Sequence, residues 1–557
     1  MLDWHDLWSP AAILGGTGTL GIIASSWPTA RRGIAPGCLL ALLFAALSWS
    51  DAGSHDLARA TFTVSLIWGA LLTALHWSDD WEGETLAEPF GAIADSTSNG
   101  SAGASPSRRS TLRQGTLPLQ LVLLAGLCLM SQAGDIVTLF LGLQIASLGG
   151  SVLATPRGRP ARDGHFPLMW TLLLGGMLLV AVTGSTRLET IQEALQTSYV
   201  TRTTAIAGGS SRVLTLSVIF IGTALAGYAA CVPFHFSRFD SPASGAALAP
   251  RLFAGIETTG ELTPPRSPVF ALFPRAAALL AWVKLWPGTI AASESTAQLL
   301  IGVLAAITAV VPLLQARVER HLVKQWWLLA VAQGGWLLVA IGAWSFVKKS
   351  AAINPAWPVV EWNMPTAAQA AWLLLLLDGV AVIGLCGVLA YLRRRERPVE
   401  FVDDLRGLCH FEPIAAVCAS VCLLSLSGLP LLAGFWSRLL IALAAMHVRG
   451  DWGPPGLLIP HSGLLLLTAL LALSAVWSAS IAMRSVWTML FGLPLGKPRP
   501  AGAVSSLFSA VLASVILIGC GVLPGPLLSW LCAPRVEQSL PQEPQKAPEF
   551  VDRGGTQ

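Results

Sequence analysis

Long apolar runs, each separated from the next by a polar segment, recur along the whole chain. A helix needs about 20 apolar residues to cross the hydrocarbon core of a bilayer, and most of these runs approach that length. The pattern predicts an all-α, polytopic membrane protein with about 14 transmembrane helices. The predicted spans are residues 11–27, 35–50, 60–77, 117–132, 136–154, 167–184, 214–235, 269–286, 297–314, 327–344, 370–392, 413–446, 463–490 and 504–523.

The composition favours the same class of protein. Of the 557 residues, 54% are hydrophobic and only 12% are charged, whereas a soluble domain carries roughly 25% charged residues. This excludes a soluble globular enzyme and a disordered chain. The nine cysteines form no C-x-x-C pair. Most lie inside apolar runs, so they indicate small buried hydrophobic residues rather than a disulfide framework or a metal site.

The basic residues indicate the topology. They are concentrated in alternate loops, and the positive-inside rule places the richer set in the cytoplasm. Both termini are then periplasmic in a bacterial inner membrane. The net charge of +4 lies in these loops, so no nucleic-acid partner is expected. The polar segments 78–116 and after Pro534 are predicted to be disordered.

A glycine motif in the first span has two interpretations. Gly16 to Gly21 matches G-x-G-x-x-G, but no strand precedes it, and a dinucleotide fingerprint requires strand, turn and helix. Small residues at this spacing let membrane helices approach closely. We therefore expect helix packing here, and no bound cofactor or metal in this chain.

Three segments carry polar features inside apolar spans. Gln144 lies in the middle of segment 131–147; in segment 227–235 a helix meets a proline; and in segment 425–438 a Ser-Gly-Leu-Pro sequence breaks a span before Arg438. A break frees backbone groups that water or polar neighbours must satisfy, so breaks tend to line ion paths. The two breaks lie five spans apart, which indicates a duplicated five-helix unit.

Several motifs resemble, in order, the antiporter-like membrane subunits of proton-translocating NADH:quinone oxidoreductase (respiratory complex I), and the N-type chain most of all. They occupy residues 139–144, 184–191, 233–235, 330–336 and 404–438. The resemblance implies two inverted five-helix repeats, with the seventh and twelfth helices broken. It also implies four regions: three N-terminal helices and a loop (1–116), a first repeat (117–290), a second repeat (291–490), and a last helix with a polar tail (491–557).

The resemblance further implies a function. The chain would be one membrane subunit among other membrane and peripheral subunits, embedded in lipid. It would take part in proton translocation coupled to quinone reduction. NADH, flavin, iron–sulfur clusters and quinone would be bound by partner subunits. Two alternatives stay open: a non-pumping scaffold subunit of the same fold, or a subunit of a cation/proton antiporter or membrane hydrogenase.

The chain departs from the family at five positions, one of which is the lysine position of the sixth span, near Met169 or Trp170. The family glutamate of the fifth span is Gln144, and the family lysine of the seventh span is Tyr228. The lysine positions of the eighth and twelfth spans match Arg275 and Arg438. Arginine keeps its proton in proteins and glutamine has none to give. The proton path therefore runs elsewhere, or the subunit no longer pumps.

The remaining polar groups in the spans complete the set of candidates. Asp378 is either a structural partner of Arg275 or Arg438 or a proton relay, because intramembrane carboxylates are costly and default to functional hypotheses. Gln144 is an interhelical hydrogen-bonding group or part of a water chain. Lys284 is an interfacial anchor or a path residue, Gln333 is structural or a path residue, and His235 is expected to cap the seventh helix. The predicted proton-path residues are Gln144, Tyr228, Arg275, Lys284, Gln333, Asp378 and Arg438.

Overall fold

The computed structural model describes residues 9–24, 34–48, 56–76, 116–154, 165–200, 208–234, 271–292, 294–353, 367–392, 399, 401–446, 462–493 and 504–525. Most of the predicted polar segment 78–116, the tail after Pro534 and the candidate cap His235 lie outside these residues. Within them the regular structure is helical, apart from two isolated bridges that join Asp135 to Arg187 and His321 to Phe401.

The described part contains seventeen α-helices. Most match predicted spans, but the short polar helix at Leu188–Val200 was not predicted. The helices are α1 (Pro10–Ala24), α2 (Ile34–Ser48), α3 (Asp56–His76), α4 (Thr116–Gln132), α5 (Ile136–Ala154), α6 (His165–Thr183), α7 (Leu188–Val200), α8 (Gly208–Tyr228), α9 (Leu272–Ala292), α10 (Glu294–Val318), α11 (Leu322–Ala332), α12 (Gly334–Ile353), α13 (Ala367–Tyr391), α14 (Pro413–Ser427), α15 (Ala433–Met446), α16 (Ser462–Phe491) and α17 (Val504–Val522).

Five segments of the described part are long and apolar enough to cross a membrane, and nine shorter apolar helices accompany them. The prediction of an all-helical polytopic membrane protein is confirmed at this level. The count of 14 spans stays a prediction. The five long segments are Leu300–Val318, Leu322–Ala343, Ala367–Tyr391, Gly463–Phe491 and Val504–Val522.

Helix α13 is largely buried and is apolar on every side. Around Asp378, α13 consists almost entirely of Leu, Ala, Val and Gly, and a helix that is hydrophobic all round is stable only when neighbours surround it. It packs against α3, α12, α14, α15 and α17. Helices α10, α16 and α17 instead leave one face exposed. The sequence of α13 thus places its single acidic residue in the protein interior.

The glycines of α1 serve helix packing, as predicted. A Cβ on Gly18 would come within 2.8 Å of Val122, and one on Gly21 within 3.0 Å of Pro118. Both contacts are with α4, so the small residues let α1 and α4 approach closely.

Candidate functional site

Asp378 lies at the centre of α13 and is 2% exposed. It interacts electrostatically with the guanidinium groups of Arg275 on α9 and Arg438 on α15. Within the described chain, its Oδ2 atom has no hydrogen-bond partner, and neither arginine forms a direct ion pair with it. We call Arg275, Asp378 and Arg438 the charged triad. It brings one carboxylate and two guanidinium groups together in an apolar interior.

Arg275 is held at the end of α11. Its Nη1 atom donates to the carbonyl oxygen of Ala330 at 2.7 Å. Its Nε and Nη2 atoms have no partner among the described residues. The helix breaks three residues further on, at Gln333, and α12 begins at Gly334. The arginine therefore satisfies a carbonyl group that lies at a helix C-terminus, where cations are favoured.

The break at Gln333 was not predicted. The Gln333 amide donates to the Leu329 carbonyl of its own helix at 3.1 Å, so the side chain folds back on α11. A Cβ on Gly335 would lie 2.9 Å from the Ala305 carbonyl of α10. The glycine therefore permits close packing at the break. No proline marks the break, which is followed directly by the glycine pair Gly334 and Gly335.

Arg438 occupies the predicted break between α14 and α15. Helix α14 ends at Gly428, which has a φ of 80°, and Leu431 has a φ of 78°. The guanidinium donates to the Leu426 carbonyl, and Ser478 of α16 donates to the Ser427 carbonyl at 3.2 Å. Arg438 is buried, at 4% exposure, so its guanidinium group lies in the interior beside the helix break.

Lys284 lies on α9, as Arg275 does, but its ammonium group contacts the C-terminal end of α4. Its Nζ atom donates to the Ser131 and Ala133 carbonyls, both at 2.7 Å, and these groups close the C-terminus of α4. The Lys284 carbonyl in turn accepts from Gln192 at 2.9 Å. The ammonium group thus caps a helix C-terminus, and the structure does not bring it into the charged triad.

Gln144 and Tyr228 form a neutral pair in the first half of the chain. The Gln144 amide donates to the Tyr228 hydroxyl at 3.0 Å, and this bond joins α5 to α8. Tyr228 is completely buried. The helix ends directly after it, and the freed amide of Val232 donates to Thr308 at 3.2 Å. The pair forms an interhelical hydrogen bond where the resembled family has an acid and a lysine.

We expect Tyr228→Phe to lower the free energy of unfolding by about 1–2 kcal/mol, because it leaves the Gln144 amide without its partner in the interior. Chemical denaturation of the purified chain in detergent measures this cost. The combined variant Gln144→Leu with Tyr228→Phe should recover most of it. Tyr391→Phe is the matched control, because that hydroxyl bonds to Glu412 in a half-buried position. Equal losses in both single variants would contradict the interior role of the pair.

The sequence analysis did not predict two hydroxyl groups that bind the backbone at the helix breaks. Thr308 on α10 and Ser478 on α16 have buried side chains. The Thr308 hydroxyl accepts from the backbone amide of Val232, and the Ser478 hydroxyl donates to the carbonyl of Ser427. Their only signal is a hydroxyl inside an apolar helix. Most such hydroxyls bond to their own helix, as Ser420 does to Ala416 at 2.7 Å, so the signal does not discriminate.

Part of the candidate site lies in a region that matches a known family of membrane proteins. The family model described as NADH:quinone oxidoreductase/Mrp antiporter, transmembrane, matches residues 359–454, which include Asp378, the second break and Arg438. NADH-quinone oxidoreductase subunit N 1 of Sorangium cellulosum is 27% identical over 421 residues, covering 73% of this chain and 73% of the relative. The chain is therefore similar in sequence to subunit N of NADH-quinone oxidoreductase.

Solved structures show the same fold for this subunit-N-like chain. A chain of respiratory complex I from Thermus thermophilus superposes with a TM-score of 0.64 at 15% identity, covering 94% of this chain and 97% of that one. A chain of the Mrp complex from Dietzia sp. superposes with a TM-score of 0.58 at 16% identity, covering 94% and 95%. The helical architecture is therefore shared with both assemblies.

Proposed function

We propose that this chain is a membrane subunit of a complex-I-type NADH:quinone oxidoreductase and takes part in proton translocation coupled to quinone reduction in partner subunits. The observation that carries the proposal is the charged triad. Arg275, Asp378 and Arg438 lie inside an apolar bundle, and both arginines bind carbonyl groups next to helix breaks. The likeness to subunit N supports the same assignment.

The proposal assigns the redox chemistry to other chains. NADH, flavin, iron–sulfur clusters and quinone are bound by partner membrane and peripheral subunits. This chain spans a bacterial inner membrane with both termini on the periplasmic side. Its two five-helix repeats occupy residues 117–290 and 291–490.

Asp378 is the group of the charged triad that gains and loses a proton. The two arginines hold their charge and set the electrostatic environment in which the carboxylate works. A charge in a low-dielectric interior acts over a longer distance than in water. Protonation of Asp378 therefore weakens its electrostatic attraction to the arginine at each helix break. The neutral Gln144 and Tyr228 pair carries no charge, so proton movement centres on the second repeat.

The test compares two forms of the reconstituted complex, one with this chain and one without it. Vesicles are energised with NADH, and the protons moved per electron transferred to quinone are measured. We expect a lower ratio without the chain. An unchanged ratio would exclude a contribution of this subunit to proton translocation.

The second candidate function is a non-pumping scaffold of the same fold. The hydrogen bond between Gln144 and Tyr228 favours it, because neither side chain there is a permanent or exchangeable charge at neutral pH. In that case the chain supports assembly alone, and its removal changes the yield of complex without changing the ratio. The third candidate function is a subunit of a cation/proton antiporter or of a membrane hydrogenase. The neighbouring genes distinguish it, because a full set of complex-I genes supports the first candidate function and an antiporter gene cluster supports the third.

A further inference from the structure

Trp68 contacts α13 on both sides of Asp378 in sequence. It lies on α3, outside the two predicted repeats, and is completely buried. Its indole Nε1 donates to the Leu376 carbonyl at 3.3 Å. A Cβ on Gly379 would overlap the Trp68 ring, so the indole lies directly against the helix backbone there. The ring therefore fixes the backbone that carries the carboxylate.

The same ring contacts the helix of Arg275. Trp68 and Phe273 form an edge-to-face pair with centroids 6.2 Å apart and planes at 89°. Such pairs have a preferred geometry and add about 0.5–1.5 kcal/mol beyond their buried area. Phe273 precedes Arg275 by two residues on α9. One indole thus contacts both the α9 segment that carries the guanidinium and the α13 segment that carries the carboxylate.

The helix of Trp68 is itself anchored in the second half of the chain. Ser509 of α17 donates to the Leu71 carbonyl of α3 at 3.0 Å, and α3 packs against both α13 and α17. Helix α17 therefore holds α3 in place while Trp68 contacts α9 and α13. Gly379 is required because only a residue without a Cβ leaves room for the indole at this approach.

We propose that Trp68 is a positioning residue that sets the separation between Asp378 and Arg275. The two charged groups interact without a direct ion pair, so their interaction depends on distance through the spacing of α9 and α13. The flat indole between these helices determines that spacing. An N-terminal helix outside the repeats thereby controls the electrostatics of the charged triad. This inference deepens the proposed function and rests on it for its functional consequence.

The first experiment observes the carboxyl group directly. Infrared bands of Asp378 are assigned in the purified full chain as those lost in Asp378→Asn. We expect the assigned band to shift in Trp68→Phe and in Gly379→Ala. Trp372→Phe is the matched control, because Trp372 is an equally buried tryptophan of α13 whose indole nitrogen has no partner in the described part of the chain. An unmoved band in Trp68→Phe, or an equal shift in Trp372→Phe, would overturn the proposal.

The second experiment is a double-mutant cycle in the reconstituted complex. We expect Trp68→Phe to reduce several-fold the part of the proton-to-electron ratio that this chain contributes, and to have no further effect in Asp378→Asn, because residues that act through one another are not additive. A natural ratio in assembled Trp68→Phe complex, or a further loss in the Asp378→Asn background, would overturn the proposal. The infrared shift does not require proton pumping, so failure of the proposed function and failure of the positioning role give different results.

Discussion

Replacing Asp378 with asparagine should reduce the protons moved per electron to the value of the complex that lacks this chain. The variant keeps the size of the side chain and removes the carboxylate that interacts with the two buried arginines. A positioned group that transfers protons typically contributes about 10²-fold or more to a rate, so its loss should remove the entire share of this subunit. Proton uptake by vesicles, divided by quinone reduction, measures the effect.

Two variants separate chemistry from stability. Asp378→Glu keeps a carboxylate and should retain part of the ratio. Asp403→Asn removes an exposed acid in the loop before α14 and should leave the ratio unchanged. Asp378→Asn also leaves two buried positive charges without an opposing one, which is strongly destabilising in general, so the amount of assembled complex must be measured alongside. A natural ratio in assembled Asp378→Asn complex would rule out the carboxylate as a relay.

The sequence predicted the helix break between α14 and α15 because its cause is local. Gly428 adopts a left-handed conformation and the following proline cannot continue a helix. The break at Gln333 has only the adjacent glycine pair as a local signal and no proline. It coincides with the contact of Arg275 with the Ala330 carbonyl and with the close approach of α10 to Gly335. Contacts between distant segments leave no fixed pattern in one sequence.

The candidate site was predicted by residue type, with Asp378 as a partner of either Arg275 or Arg438; that it interacts with both was not predicted. Arg275, Asp378 and Arg438 are exceptional because charged side chains are rare inside spans, and the structure does bring these three together. Lys284 carries the same signal but caps α4 instead. Which helix a charge faces depends on how the helices pack, and hydrophobic spans that are apolar all round carry no information about orientation.

The role of Trp68 could not be predicted from the sequence. The chain has 22 tryptophans, and several lie at predicted span ends, where an aromatic belt at the membrane interface explains them. Trp68 instead lies in the middle of the predicted span 60–77, but the sequence does not indicate which helices it contacts. Its contact with Gly379 links positions more than three hundred residues apart, so only the fold reveals it.

Gly428→Ala should destabilise the chain by about 3 kcal/mol or more through two separate effects. Alanine in the left-handed region costs about 1 kcal/mol. In addition, the new Cβ would overlap the Arg438 guanidinium, which would have to leave the Leu426 carbonyl and become a buried cation without that acceptor. Chemical denaturation of the purified chain in detergent measures the total.

Gly184→Ala isolates the first effect. Gly184 has a φ of 71°, close to that of Gly428, but its Cβ would meet nothing within 4 Å, so only the backbone cost of about 1 kcal/mol should appear. In the Arg438→Met background, Gly428→Ala should likewise cost only about that amount, because the overlap is with the guanidinium. The same large cost in both backgrounds would mean that the glycine serves the turn alone and that Arg438 does not depend on it for its place at the break.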